Sequence, residues 1–354
     1  MIWPDRVSKI LNIKYPVIQA PMLGVTTPEM VAAVSNNGGL GSLPVGGLSA
    51  EKTLALIQRT KELTDKPFAV NLFAHPIPAV VDENEFNAMQ DFLSQLCTTD
   101  GIQVEQQAVD KLRFYSYKDL ISTLISENIK VVSFTFGVPD DESIEILKAN
   151  QAILIGTATS AEEAQVLDEK GIDMITMQGI EAGGHRGSFL DMDNPPLIGL
   201  RDLMHDVTAI TDKPLIAAGA IADGKSVHNA FNLGADAVQV GSIFIASHES
   251  LANENWKKAV QEATDDDIVL TKAYSGRWAR GVKNKLIESV ENSALDIPTY
   301  PYQNALTAPI RVQAKQQNNI DYIAMWRGQS SVKIQSKSAA EIFLDLVSQA
   351  EKTI

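Results

Sequence analysis

Gly183, Gly184 and Gly187 stand beside His185 and Arg186 in the stretch Gln178-Gly179-Ile180-Glu181-Ala182-Gly183-Gly184-His185-Arg186-Gly187-Ser188. A bland turn needs one glycine. Three justify their entropic cost only where φ is positive or where something approaches the backbone closely. The stretch is therefore expected to contact a ligand. Its histidine has the chemistry to hydrogen-bond an anion or to act as a base near neutral pH. No second His, Cys or carboxylate stands at ligand spacing from His185, the nearest acid being Glu181, so no metal is expected there. Arg186 is expected to serve structure more than ligand.

The loop follows an apolar, strand-like run at 173–177 (DMITM). Counting 174–178 as the sixth, the other seven such runs are 16–22 (PVIQAPM), 39–45 (GLGSLPV), 67–73 (PFAVNLF), 131–137 (VVSFTFG), 152–158 (AILIGTA), 214–221 (PLIAAGAI) and 237–246 (AVQVGSIFIA). They are continuous rather than alternating, as in parallel strands covered on both faces. Helical patterns lie between them at 28–37, 49–63, 117–127, 140–149, 200–211 and 225–233, and another starts at Ser160, with Glu163 at capping-box spacing. Eight repeats of roughly 30 to 40 residues predict a (β/α)8 TIM barrel. A doubly wound sheet is the alternative, though it usually closes with fewer strands.

Two segments interrupt the rhythm. Residues 74–114 are polar, carry His75-Pro76-Ile77-Pro78, and read as an excursion after the third strand. Residues 249–336 are expected to be helical and irregular, and they hold Trp256, Tyr274, Trp278, Tyr300, Tyr302, Tyr322 and Trp326. Residues 338–354 are amphipathic and supply the eighth outer helix. The expected division is a barrel of residues 1–248 and 337–354, with 249–336 inserted in the last β/α loop. That loop lies over the C-terminal face, where barrel active sites are found, so the insertion is a candidate lid.

The 354 residues are 45% hydrophobic and 21% charged, with a net charge of −14. An acidic surface repels phosphate backbones and anionic bilayers, so neither nucleic acid nor membrane is an expected partner. The single cysteine, Cys97, excludes an intrachain disulfide and any cysteine-built metal site. No apolar run approaches the roughly 20 residues that span a bilayer. The first residues, MIWPDRVSK, lack the basic and apolar regions of a signal peptide, and a cytoplasmic location is expected.

The C-terminal ends of the eight strands define a rim. It carries Ala20-Pro21-Met22, Pro44-Val45-Gly46-Gly47, Asn71, Phe136-Gly137, Thr157-Ala158, Gln178, Ala218-Gly219-Ala220 and Gln239-Val240-Gly241-Ser242. Glycines and amides dominate. Paired carboxylates for glycoside cleavage and ligand sets for metals are missing from it. Gly219 and Gly241-Ser242, after strands seven and eight, suit a phosphate held by backbone N–H groups. Asn71 and Gln178 both donate and accept, as the edge of a flat heteroaromatic ring requires. A phosphate on one side and amides in the middle suit flavin mononucleotide (FMN).

Together these residues resemble the nitronate monooxygenases, formerly 2-nitropropane dioxygenases, which are FMN enzymes on a (β/α)8 barrel. The resemblance rests on Gln19-Ala20-Pro21-Met22, Pro67-Phe68-Ala69-Val70-Asn71-Leu72-Phe73, Glu181-Ala182-Gly183-Gly184-His185-Arg186-Gly187 and Gly234-Ala235-Asp236-Ala237-Val238-Gln239-Val240-Gly241. It extends to Ser275-Gly276-Arg277-Trp278-Ala279-Arg280-Gly281 and Pro301-Tyr302-Gln303-Asn304-Ala305-Leu306, and so covers nearly the whole chain. It implies that FMN is held at Met22, Asn71, Gln178, Gly183, Gly219 and Gln239, Val240, Gly241 and Ser242. Pro21 would lie beneath the flavin and Gly184 would leave room. His185 falls on the active-site histidine. Tyr274, Tyr300 and Tyr302 are candidates to line the substrate pocket.

The implied reaction is detoxifying oxidation of alkyl nitronates, such as propionate 3-nitronate, by dioxygen through single-electron transfer to FMN. The products are a carbonyl compound and nitrite or nitrate, and a monomer or homodimer is expected. One departure stands out: the family usually has two glycines where this chain has Gly219-Ala220. The nearest rival is an FMN-dependent enoyl-acyl-carrier-protein reductase using a nicotinamide donor, against which the segment Met325-Trp326-Arg327-Gly328-Gln329 argues. A non-catalytic flavin- or phosphate-binding barrel is the rival from another class.

Overall fold

A computed structural model describes residues 2–78 and 80–353. Among these residues eight parallel strands form a ring. They are β1 (Val17–Gln19), β2 (Gly41–Pro44), β3 (Phe68–Phe73), β4 (Val131–Thr135), β5 (Ile153–Ala158), β6 (Met174–Gln178), β8 (Leu215–Ala218) and β9 (Ala237–Val240), while β7 (Gly184–His185), β10 (Ile268–Thr271) and β11 (Ala279–Val282) lie outside the ring. The ring runs β1-β9-β8-β6-β5-β4-β3-β2. It closes between β1 and Leu40, where Gln19 N donates to Leu40 O at 2.9 Å and Leu40 N to Val17 O at 3.0 Å. A closed ring leaves no exposed sheet edge, and the doubly wound alternative is set aside.

Side chains alternate along each strand, so register decides what fills the barrel. Ile18, Leu40, Ala69, Val131, Ile155, Met174, Ile216 and Ala237 form one buried apolar layer with Val7 and Leu11. The last two belong to α1 (Arg6–Leu11), which plugs the end of the barrel where the strands begin. In β3, β4, β5, β6 and β9 the position two residues further along is polar, Asn71, Ser133, Thr157, Thr176 and Gln239, whereas Ala20 and Ala218 stand there after β1 and in β8. The barrel is thus dry below and polar above.

The outer layer is helical. α2 (Pro28–Asn36), α3 (Ala50–Leu63), α5 (Lys118–Ser126), α6 (Asp141–Ala149), α7 (Ala161–Glu169), α8 (Leu200–Thr208) and α9 (Gly224–Asn232) follow successive strands. α13 (Ala339–Lys352) packs against both α9 and α2 and completes the circle. Its start is fixed by a capping box between Ser338 and Glu341.

Three features depart from the sequence expectation. The excursion after β3 contains a helix of four turns, α4 (Glu83–Thr98), capped by Asp82 and anchored through buried Phe86, Met89, Leu93 and Cys97. β9 stops at Val240, and Ser242–Phe244 form a 3-10 turn instead of more strand. The segment after it is more than helical. Besides α10 (Glu254–Glu262), α11 (Lys285–Glu291) and α12 (Tyr302–Gln316), it carries the antiparallel hairpin β10–β11. β11 then pairs with β7, setting Ala279 opposite His185 and Arg280 opposite Gly184.

Candidate functional site at the barrel mouth

The polar upper layer forms the floor. Asn71, almost fully buried, donates from Nδ2 to Ser133 Oγ at 3.0 Å and to Thr135 Oγ1 at 3.2 Å. Gln178 spends its amide on the loop that follows it: Nε2 donates to His185 O at 2.9 Å, and Oε1 accepts from Gly187 N at 2.8 Å. Arg186, between those anchor points, is buried and donates to Gly179 O at 2.6 Å and Gln178 O at 3.1 Å. It staples the loop back on its own strand, while its own N–H donates to Trp278 O at 2.8 Å. The half-exposed Gln239 amide has no protein partner among the described residues.

The glycines of the loop have separate causes. A methyl carbon at Gly183 would lie 2.5 Å from the Arg327 carbonyl carbon and closer still to Gly328 N. One at Gly187 would lie 2.7 Å from the Thr157 methyl. Gly184 has φ +74° and open space around it, so backbone conformation accounts for it. Contact with the segment 249–336 thus explains Gly183, contact with the barrel strand β5 explains Gly187, and backbone conformation explains Gly184, so none of the three by itself requires a ligand.

His185 is where the insertion and the barrel meet. Its Nε2 lies 2.8 Å from Ser275 Oγ, and that oxygen accepts from Arg277 N at 3.2 Å. Nδ1 has no partner among the described residues. The ring meets Phe136 edge-on, centroids 5.5 Å apart, and Trp326 at 5.4 Å. Enclosure, and then the positive charges of Arg277 and Arg311, pull the imidazole down to about 3, so it is neutral at physiological pH.

Around it stands a cluster in which the sequence places Phe136 on the rim and Tyr300 in the pocket but gives His75 and Arg277 no role. Phe136 ends β4 with φ +72°, a left-handed conformation unusual for a bulky residue and of the kind stored at functional sites. Arg277 lies over its ring at 4.3 Å, and over Tyr300 at 5.7 Å. His75, buried, packs edge-on to Tyr300 at 4.7 Å, and its Nδ1 bonds Pro76 O. Burial lowers its pKa.

The three candidate tyrosines separate. Tyr300 is in the cluster, its phenol pushed up to about 12 by burial, with no hydrogen-bond partner among the described residues. Tyr274 is core: its hydroxyl donates to Ile323 O at 2.9 Å, and its ring supports Trp326 at 5.6 Å. Tyr302 donates to Pro78 O at 3.2 Å and packs on Phe86 and Phe114, tying α12 to the excursion.

The ends of β8 and β9 form the other side of the mouth. The N–H groups of Gly219, Ala220, Ser242 and Ile243 donate to no acceptor among the described residues. A Cβ at Gly241 would meet only Ala20 Cβ at 3.4 Å and Met22 Sδ at 3.5 Å. Its φ of −119° makes no demand either, so neither packing nor conformation within the protein requires glycine there. The unused N–H groups and the open space over Gly241 are chemically suited to an anionic group. Pro21 and Met22 border that space from β1, and Val240 offers backbone alone because its side chain is core. Ser242 Oγ accepts from Gly328 N at 3.0 Å. Ala220, the position departing from family pattern, sits at φ +52°.

Among the described residues no group of three or more His, Cys, Asp or Glu is placed to hold a metal. No helix among them is long and apolar enough to cross a membrane.

A closed (β/α)8 barrel that gathers a neutral histidine, the unengaged Gln239 amide and unused N–H groups on one rim has the makings of an enzyme acting on small molecules. The family model for nitronate monooxygenase matches residues 5–349. A probable nitronate monooxygenase of Staphylococcus saprophyticus is 39% identical over 349 residues, covering 98% of both chains. A nitroalkane oxidase from Streptomyces ansochromogenes superposes with a TM-score of 0.89 at 31% identity, over 98% of each chain. FabK from Thermotoga maritima superposes at 0.76 with 27% identity, over 98% of this chain and 96% of its own. The chain belongs to the nitronate monooxygenase family and is an oxidoreductase.

Proposed function

We propose that the protein oxidises alkyl nitronates with dioxygen, using FMN bound across the mouth of the barrel. The observation that carries this is the cradle of unused N–H groups and the unrequired Gly241, on the same rim as His185. The four N–H groups of Gly219, Ala220, Ser242 and Ile243 would hold the phosphate. Met22, Asn71, Gln239 and the backbone at Gly183, Gly184 and Val240 would border the ring system, with Gln178 keeping the loop in place. FMN, when bound, supplies the electron acceptor that passes electrons from substrate to dioxygen.

The chain's own part is to bind and orient the nitronate. Arg277 N–H donates to Ser275 Oγ. That hydroxyl lies 2.8 Å from His185 Nε2 and 3.2 Å from Arg277 O. With its one proton assigned to the shorter contact, Nδ1–H is left to donate to an anionic nitronate oxygen. A ring held near pKa 3 is a weak base. The substrate suited to it is the preformed nitronate, which needs no deprotonation. Nitronate plus dioxygen gives carbonyl compound plus nitrate, with all atoms retained. The segment 249–336 walls the site, and propionate 3-nitronate is the expected type of substrate, detoxified in the cytoplasm.

The test is oxygen uptake by the yellow holoenzyme with propionate 3-nitronate. Released flavin is expected to be FMN. His185→Asn is expected to lower kcat/KM on the order of 100-fold, as loss of one preorganised donor does. A variant that keeps FMN and full turnover overturns the assignment. Rapid anaerobic bleaching by NADH, without nitronate oxidation, overturns the reaction in favour of a reductase.

A further inference from the structure

Five arginines stand around the mouth, and their surroundings divide them. Glu163 and Glu181 act on Arg186, Glu181 and Asp265 on Arg280, and Asp265 and Asp267 on Arg327. Arg277 and Arg311 are different. Among the described residues no carboxylate forms an ion pair with either, and the groups beside them that could turn negative are the Tyr300 phenol at Arg277 and the Tyr274 and Tyr300 phenols at Arg311. These phenols are neutral, because burial raises both. Two enclosed guanidinium charges therefore have no counter-charge among the described residues, in a chain whose net charge is −14. An unpaired buried charge is expensive unless a ligand completes it.

Geometry places Arg277 at the site, and the positive charges of both arginines reach the His185 ring. Arg277 spends Nη1 on Ser188 O at 3.2 Å and lays its plane over Phe136, whose edge meets His185. Arg311 is braced by Asn304, Nη2 to Oδ1 at 2.7 Å and to the carbonyl at 3.2 Å, on helix α12. A nitronate brings one negative charge, and two are needed to balance the pair.

We propose that Arg277, backed by Arg311, is the subsite for a carboxylate carried on the nitronate's chain, and so selects acidic nitronates over plain alkyl ones. This rests on nitronate oxidation at His185. Guanidinium is suited to the task, since its planar fork matches a carboxylate.

The holoenzyme is assayed with propionate 3-nitronate and with propyl 1-nitronate. The wild type is expected to favour the first on the order of 100-fold in kcat/KM, the scale of a desolvated charge contact. Arg277→Met is expected to lower kcat/KM far more for propionate 3-nitronate than for propyl 1-nitronate, so that most of the preference is lost, and Arg277→Lys to restore part of it. Equal losses on both substrates, or no preference in the wild type, overturn the proposal. Should Arg277→Met fail to fold, the wild type alone decides. Succinate is expected to perturb the flavin absorbance at roughly tenfold lower concentration than butyrate, and equal affinities overturn the subsite. If neither nitronate is oxidised, the reaction proposed above fails, while tighter succinate binding still supports the subsite.

Discussion

At His185 the chemistry turns on which ring nitrogen is already engaged. Ser275 occupies Nε2, and enclosure keeps the ring neutral, so one edge faces inward and Nδ1 is left for a ligand. This has a consequence for stability. In the unfolded chain the imidazole takes a proton near 6.5, and in the folded protein only near 3. Between those values the unfolded state binds more protons, so stability is complete above pH 6.5 and is lost as pH falls towards 3. Each pH unit in that window costs about 1.4 kcal/mol for this one group. Urea unfolding of apoprotein from pH 8 to 5 is expected to show the loss, and His185→Asn to flatten it. The kcat/KM profile for an anionic nitronate should show no ionisation from His185 between pH 5.5 and 8. Ala220 makes a second case. Its left-handed φ of +52° costs about 1 kcal/mol, and Ala220→Gly relieves it. The added glycine gives back a similar amount through the unfolded chain, so the melting temperature should hardly move. Removing a methyl beside the proposed phosphate cradle is expected to lower the FMN dissociation constant several-fold, measured by fluorescence of released flavin. An unchanged constant would show that the departure at Ala220 has no bearing on the cofactor.

The element that organises the mouth is β7, two residues long, held between Gln178 below and β11 above. Its preceding residue packs backbone to backbone on Arg327 and Gly328. Gly183→Ala therefore has no flexible neighbour to displace, and the insertion must move away from the loop. The expected result is protein that still closes its barrel, with loss of more than about 2 kcal/mol and weak retention of FMN, read by gel filtration of the yellow holoenzyme. A fully retained cofactor would mean that the loop and Trp326–Gln329 are not one unit. The same elements show where sequence reading succeeded. Strands β3, β5 and β6 are apolar runs bounded by turn residues, and the position of Gly219 and Gly241 on the rim, with His185 in the loop after β6, follows from the strand ends. α4 was hidden because Phe86, Met89, Leu93 and Cys97 are sparse among polar residues, although Asp82 is a good cap. The hairpin was hidden because ARGV has no strand pattern until β7 supplies its partner. His75, Phe136, Arg277 and Arg311 are separated by tens of residues along the chain. Only the folding of the insertion over the mouth brings them together, and no local spacing carries that information.

Over the whole molecule, stability and chemistry occupy opposite ends of one barrel. At the end where strands begin, α1 presses Val7 and Leu11 against a ring of apolar residues, and both are almost fully buried. At the other end the inward side chains are polar, the backbone at Phe136 is strained, and charges are uncompensated. Those features cost free energy, and the dry layer and the helical coat offset them. If the two ends are separate, damage below should not be felt above. Leu11→Ala leaves a cavity beneath the lower layer and is expected to cost about 2–5 kcal/mol in urea unfolding. Its kcat, its KM for propionate 3-nitronate and its FMN content should match the wild type at 25 °C, where the folded population still dominates. A fall in kcat with stability intact would show that the lower layer sets the positions of Asn71, Gln178 and Gln239, two to four residues further along the same strands. The rigidity of a closed ring argues for the first outcome, since strand hydrogen bonds fix the upper layer independently of the plug.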